Sequence, residues 1–447
     1  MNIYRCPVCG YLQIGEINFH FCPVCKTPAE RFCVDPTDEN FAYWDAKTRT
    51  MIQHMAETGH YYLEGKGTTR KFLNMDDLLF MPCQIAKTPL LDDEAVDTEV
   101  VLGKVSPHPI TVKTPILNAG MSFGALSREA KMALAKASHL VGGIANSGEG
   151  GMLDEERELA DRYTLQYASG RFGVSESRLK KADMIEIKIS QGAKPGMGGK
   201  LPGNKVTEEI ARIRELPPYQ MAESPSRHRD IKTPKDLSDK IAWLREVTGN
   251  KPISLKFVGA HIEEDLDAVF SQKNIPDVLV IDGGEGGTGA APVFTKDHIG
   301  LPLVYSLPRV AEYIEKKGQR ERITLIATGG LRHSADVAKA IALGAEAVYM
   351  AGALKIAMGC KYIRECHLGT CPYGIATQKK VLRKRLDVDL AAQRVANFIS
   401  AATEELRIFA RICGKNAIHR LDKSDLKAID PELSRITGVQ LAYGGRE

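Results

Sequence analysis

Eight short apolar runs, each ending in a Gly-rich or polar turn, recur from about residue 100 onward and alternate with helical or loop segments. In order they read "PILNAGMSFG", "VGGIANSGEGG", "TLQYASGRFG", "MIEIKISQGAKPG", "PISLKFVGA", "DVLVIDGGEGGTG", "ITLIATGG" and "AVYMAGA". Helical periods between them include "SREAKMALAKASHL", "PKDLSDKIAWLREV" and "SADVAKAIALG", with Ser127 and Ser334 placed as N-caps. Eight strand-like runs in this alternation predict an α/β fold, a (β/α)8 TIM barrel. An open doubly wound sheet is the competing arrangement. Two long stretches with little helical period, about 190–234 and 284–303, read as expanded βα-loops, which in a barrel build the active face.

The strand ends carry charge and glycine where a plain core wants neither. Gly329 and Gly330 precede one helix start, and Gly352 and Ala353 end the next strand. Backbone N–H groups freed by small residues at helix starts bind phosphate, and a barrel holds phosphate after its seventh and eighth strands. Lys188 and Lys256 interrupt apolar strands. Each either faces outward and snorkels or stands as a cation beneath a cofactor, such as the N1/O2 edge of a flavin. Glu149, flanked by glycines in "NSGEGG", reads as a proton donor, an amine ligand or a helix cap.

Seven of the ten cysteines fall in two groups. Cys6, Cys9, Cys22 and Cys25 make two C-x2-C knuckles, the pattern of one tetrahedral metal in a module too small to bury a core; zinc and iron both accept it. Cys360, Cys366 and Cys371 form C-x5-C-x4-C, which is neither a four-ligand zinc set nor an even disulfide framework. Cys33, Cys83 and Cys413 are scattered and read as core thiols.

With 60 basic and 56 acidic residues interspersed, the chain gives no argument for nucleic-acid binding. No apolar run is long enough to span a membrane, and the stretch before Cys6 holds no signal segment, so a cytoplasmic protein is expected. A helix is expected within "FAYWDAKTRTMIQHMAETGHYY", with His54 and His60 structural, and another over Val388 to Cys413. The domain reading is 1–35 metal module, 36–98 linker and helical segment, 99–415 barrel, and 416–447 tail.

Tyr4, the Cys-Pro-x-Cys knuckles and "TPAERF" resemble the rubredoxin-like module that ends rubrerythrins, which implies one iron where spacing alone left zinc open. Lys26 stands where that module usually has glycine. From about Pro115 to Gln378 the chain resembles the synthase domain of glutamate synthases. The matching text is "AGMSFGALSREA", "GGIANSGEGG", "ASGRFGV", "IEIKISQGAKPGMGGKLPGNKV", "SPSRHRDI", "IDGGEGGTGAAP", "GAEAVYMAGA" and "GCKYIRECHLGTCPYGIATQ".

That resemblance implies FMN at the strand C-terminal face and a [3Fe-4S] cluster on Cys360, Cys366 and Cys371. It implies reductive amination of 2-oxoglutarate by ammonia through 2-iminoglutarate. Gln191 and Lys194 would hold substrate carboxylate, with Glu149 beside the imine and His228 and Asp230 on the same expanded loop. Around FMN it places Lys188 and Lys256, Met121 and Ser122, Asp282, Gly284, Gly286, Gly287 and Thr288, and the phosphate residues Gly329, Gly330, Gly352 and Ala353. Arg227 and Arg229 in "SPSRHRDI" are expected to add positive charge near the substrate. Because no glutaminase domain precedes the barrel, ammonia is expected free or from a separate glutaminase-like subunit, and electrons from an external donor such as ferredoxin or a reductase subunit. A homo-oligomer is compatible with the sequence. Two other readings stand beside this one: an N-methylglutamate synthase-like subunit using an alkylamine, and an FMN/iron-sulfur electron-transfer or redox-sensing protein.

Overall fold

In the computed structural model the described residues are 3–9, 11–14, 17, 19–34 and 44–443. They form two compact units, Met1–Tyr62 and Leu63–Glu447.

In the first unit, Leu12–Ile14, Ile3–Arg5 and Cys33–Val34 make a three-stranded antiparallel sheet. Tyr11, Phe19 and Phe32 pack edge to face behind the cysteines. The expected helix runs Ala46–Thr58, with Asp45 accepting from the Thr48 N–H and Gly59 closing it in the left-handed region. His54 meets Tyr62 edge to face within this unit, ring centroids 5.3 Å apart.

The second unit is the barrel. Its strands are β1 (Ile116–Asn118), β2 (Ala145–Asn146), β3 (Tyr163–Tyr167), β4 (Met184–Lys188), β5 (Ile253–Val258), β6 (Val278–Asp282), β7 (Thr324–Thr328) and β8 (Ala347–Met350). Seven lie within the runs read from the sequence, and β3 begins one residue before its run, at Tyr163. They form one parallel sheet in the order β1-β8-β7-β6-β5-β4-β3-β2. The first strand therefore pairs with the last, and β1 also touches β2, which nearly closes the barrel and excludes an open doubly wound sheet.

Side chains alternate across each strand, one face to the barrel interior and one to the helices. Val278 and Val280 of β6, Ile326 of β7 and Tyr349 of β8 share one buried cluster, while Leu279, Ile281, Leu325 and Val348 belong to another that includes the helices. The first cluster also contains Val100, Leu102, Ile110 and Val112, from a hairpin of Val100–Leu102 and Ile110–Val112. The Thr324 hydroxyl donates to the Val101 carbonyl, so this hairpin closes the end of the barrel where the strands begin.

Outside, the helix Arg128–Leu140 packs on the long helix Val388–Ile412. Ser127 caps the first of these, accepting from the Ala130 N–H. The expected cap at Ser334 is not found. His333 caps that helix through Nδ1, while Ser334 is its first residue and gives its hydroxyl to Glu405. The C-terminal segment is folded into the barrel unit rather than trailing from it. Leu426–Ala428 pairs with Leu78–Phe80, and Pro431–Thr437 packs on the helix Leu303–Lys316.

Leu102 is fully buried in the closing hairpin. Leu102→Ala should cost about 2–5 kcal/mol of stability in urea unfolding; a loss under about 1 kcal/mol would show that the hairpin does not plug the barrel.

Candidate functional site

The alternation that fills the barrel with apolar side chains at one end delivers polar ones at the other. On β4 the inward positions run Met184, Glu186, Lys188, and on β6 Val278, Val280, Asp282. Lys188 and Lys256 are paired positions on neighbouring strands. Both line a cavity of about 490 Å³ at the strand C-termini, so neither snorkels outward. That volume lies within the range of small-molecule sites.

Each lysine has a fixed anion. Lys256 Nζ is 3.1 Å from Asp282; burial lowers its pKa, but Asp282 and Glu186 outweigh burial and raise it, so the ammonium stays charged. Lys188 Nζ donates to Glu149 Oε2 at 2.9 Å and to Gln191 Oε1 at 2.6 Å. Burial pushes Glu149 upward, yet Lys188, the Ser224 hydroxyl and Lys194 hold it below the ordinary carboxylate value. Glu149 is thus a carboxylate and not a helix cap. Lys194 is lowered to about 8, first by burial and then by Lys188. Lysines so perturbed by burial and a neighbouring charge are concentrated in functional clefts.

His228 works behind this set. Arg171 donates to Nδ1 at 2.6 Å, so Nδ1 accepts and Nε2–H donates to the Lys188 carbonyl at 2.8 Å. Burial and Arg171 lower its pKa, keeping the ring neutral. Asp230 binds Arg171 and Lys240. Arg227 and Arg229 are exposed and do not line the cavity, which corrects the expectation that they add charge at the substrate.

On the opposite wall Gly329 and Gly330 take φ of +104° and +75°. A Cβ on Gly329 would lie 2.7 Å from Gly283 backbone atoms, so only glycine fits. A Cβ on Gly352 would meet nothing within 4 Å, because it opens the helix Gly352–Met358 directly onto the cavity. First-turn N–H groups of a helix lack intrahelical partners and suit a phosphate. Cavity size, glycine cradle and buried cations together fit a phosphorylated flavin. Met121, Ser122, Gly286, Gly287, Thr288 and Ala353 also line the cavity. Gly284 does not; its N–H donates to the Leu301 carbonyl, and its missing side chain allows the close approach of Gly300.

Cys360, Cys366 and Cys371 sit at the edge of the same cavity. Among the described residues their sulfurs are not a group lying wholly within 4.8 Å of one another, whereas those of Cys6, Cys9, Cys22 and Cys25 are. One ion at about 2.3 Å from each sulfur needs ligands no more than about 4.6 Å apart. The quartet therefore fits one ion, and the trio does not meet that limit. In the quartet Cys6 N–H donates to the Tyr11 carbonyl and Cys22 N–H to the Thr27 carbonyl, giving two matching knuckles. The Thr27 hydroxyl contacts Cys25 Sγ at 2.9 Å and, with the Thr27 N–H, lowers its pKa. Lys26 keeps the left-handed backbone that a glycine would take, with φ of 61°. Of the scattered cysteines Cys413 is buried and Cys83 half-buried, and the Cys33 side chain lies outside the described residues.

Several cavity residues had no signal beyond being charged: Lys66, Lys205, Arg214, Glu285 and Lys355. Lys205 and Glu285 stand in motifs quoted above, where spacing says nothing of their direction. Glu285 is pushed up to about 7, chiefly by burial. Lys66 ends a strand, Leu63–Lys66, that pairs with Thr288–Pro292 of the loop after β6. Neither pairing partner follows from local pattern.

The conserved region in glutamate synthase matches residues 49–416. The chain is 40% identical over 408 residues to the archaeal glutamate synthase [NADPH] of Methanocaldococcus jannaschii, covering 85% of this chain and 80% of that protein. It is 39% identical to a glutamate synthase large subunit-like protein of Rhizobium meliloti, covering 90% and 95%. A lactate oxidase of Pediococcus acidilactici shares the fold at TM-score 0.50 and 15% identity, over 79% of this chain and 84% of that one. The named relatives define an oxidoreductase, and the barrel places its cavity at the strand C-termini. More narrowly, the chain belongs to the glutamate synthase family, and its four-cysteine unit fits a rubredoxin-like module. Among the described residues no helix is long and apolar enough to cross a membrane.

At Gly65 the added strand lies against the cysteine loop. The Gly65 N–H donates to the Arg364 carbonyl at 3.0 Å, and a Cβ there would lie 2.5 Å from that oxygen. Gly65→Ala should therefore destabilise by about 1–3 kcal/mol in chemical denaturation; an unchanged midpoint would mean that the loop yields freely.

Proposed function

We propose that the protein reductively aminates 2-oxoglutarate to L-glutamate, with FMN in the barrel cavity and a [3Fe-4S] cluster on Cys360, Cys366 and Cys371. The observation that carries this reading is the meeting of Glu149, Lys188, Gln191 and Lys194 in one cavity with the glycine cradle and the cysteine trio. Bound FMN would supply the hydride for the imine carbon.

Protein groups do the rest. The Lys194 ammonium binds a carboxylate of the oxo acid by a charge-assisted hydrogen bond, aided by Gln191. Glu149, held anionic by Lys188, accepts hydrogen bonds from the incoming amine and takes up its proton. His228 fixes the Lys188 backbone and so the Lys188–Glu149 pair. Lys205, Arg214 and Lys355 add positive charge, which suits a dicarboxylate and a flavin phosphate together.

Ammonia arrives free or from a separate glutaminase-like subunit. Relatives are named for NADPH, and we take NADPH as the ultimate reductant here, acting through ferredoxin or a reductase subunit. The four-cysteine site would carry one iron and admit electrons. A pure relay would need neither Lys194 nor Glu149.

Lys194 must be protonated to bind an anion, and its pKa is about 8. The KM for 2-oxoglutarate should be flat below that pH. Above it, KM should rise by up to about tenfold per pH unit as the ammonium is lost. Lys194→Gln should raise KM and flatten its pH dependence. A native KM that stays constant through pH 9.5 (about 1.5 units past the pKa) would remove Lys194 from the substrate.

A further inference from the structure

Three lysines converge on the cysteine trio, and substrate binding does not account for them all. Lys66 is 3% exposed, holds a left-handed backbone with φ of 74°, and points Nζ at Cys360 Sγ from 3.3 Å. The same ammonium lies 4.5 Å from the Tyr362 ring centroid. Lys205, 7% exposed, donates from Nζ to the Cys366 carbonyl at 2.8 Å. Lys355 lines the same cavity as Cys360, Cys366 and Cys371. Among the described residues none of the three is ion-paired with a carboxylate. The nearby Glu64 is bound by Lys296 and Arg364.

A buried ammonium without a counter-charge is costly. A non-glycine residue held in the left-handed region at the end of a strand is a further cost at Lys66. The charges that would balance these ammonium groups are the cysteine thiolates and what they hold. We propose that Lys66, supported by Lys205 and Lys355, is the counter-charge that sets the reduction potential of the iron-sulfur group on Cys360, Cys366 and Cys371. This rests on the cluster reading above.

One-electron reduction adds one negative charge to that group, the electron coming from the external donor. Fixed positive charge beside it stabilises the reduced form more than the oxidised one and raises the potential. The Lys66 N–H donor to sulfur acts in the same direction, since net charge and hydrogen bonds to sulfur set such potentials. Lys66 also explains why the strand Leu63–Lys66 is laid against the cysteine loop: the strand delivers the charge.

The test is a dithionite titration of the anaerobic full-length holoenzyme, followed by low-temperature magnetic resonance, for the native protein, Lys66→Met and Lys66→Arg. The expected result is an unchanged signal per protein, a midpoint shifted to more negative potential in Lys66→Met, and its recovery in Lys66→Arg. If Lys66→Met lowers cluster content, Lys355→Met should still shift the midpoint in the same direction by charge alone. Full cluster content with unmoved midpoints in both Met variants overturns the proposal. A native protein with no [3Fe-4S] signal overturns the cluster reading itself, and the inference falls with it.

Discussion

Two lysines side by side at the mouth of a parallel barrel set the terms for everything above them. Lys188 and Lys256 are register partners on adjacent strands, and like charges so placed repel. Each survives because the neighbouring strand end or loop brings an anion: Asp282 from β6 for Lys256, and Glu149 from the loop after β2 for Lys188. These pairs tie four strand ends together. They also leave Lys194 near two charges of opposite sign, which, with burial, brings its proton close to neutrality. The site is thus a by-product of neutralising the barrel mouth, and a shift in any one strand end would unbalance the others.

The expanded loops then divide the labour. The loop after β4 carries Gln191 and Lys194 to the cavity and His228 behind it, where a neutral ring clamps the Lys188 carbonyl. The loop after β6 pairs with Leu63–Lys66, which brings a strand from before the barrel against the cysteine loop that follows β8. Lys194 and the cysteine-side Lys66 therefore line one cavity but hang from different parts of the chain.

How much of this could be read from the chain depends on the range of the interaction. The eight strands were legible because a short apolar run and a Gly-rich ending are local patterns, while the direction of Lys188 and Lys256 stayed open until the cavity placed them. Gly329 at a strand end followed from the same pattern, whereas Asp282 came only with the family resemblance. Gly284 did not separate from its neighbours, because close packing against Gly300 and exposure to a ligand both select glycine. Ser334 looked like a cap, but Glu405 on a distant helix claims its hydroxyl. Lys66 and the pairing of Leu426–Ala428 with Leu78–Phe80 were invisible, since both depend on contacts between segments far apart in sequence. Arg227 and Arg229 misled in the opposite sense: charge beside a site motif points either way, and here it faces solvent.

Glutamate formation at the Lys188–Glu149–Lys194 set is tested most directly by anaerobic stopped flow on the photoreduced holoenzyme, mixed with 2-oxoglutarate, ammonia or both. Fast flavin reoxidation that requires both, with L-glutamate formed in equal amount, is the expected result. Reoxidation that ignores ammonia, or none at all with 2-oxoglutarate, would contradict it.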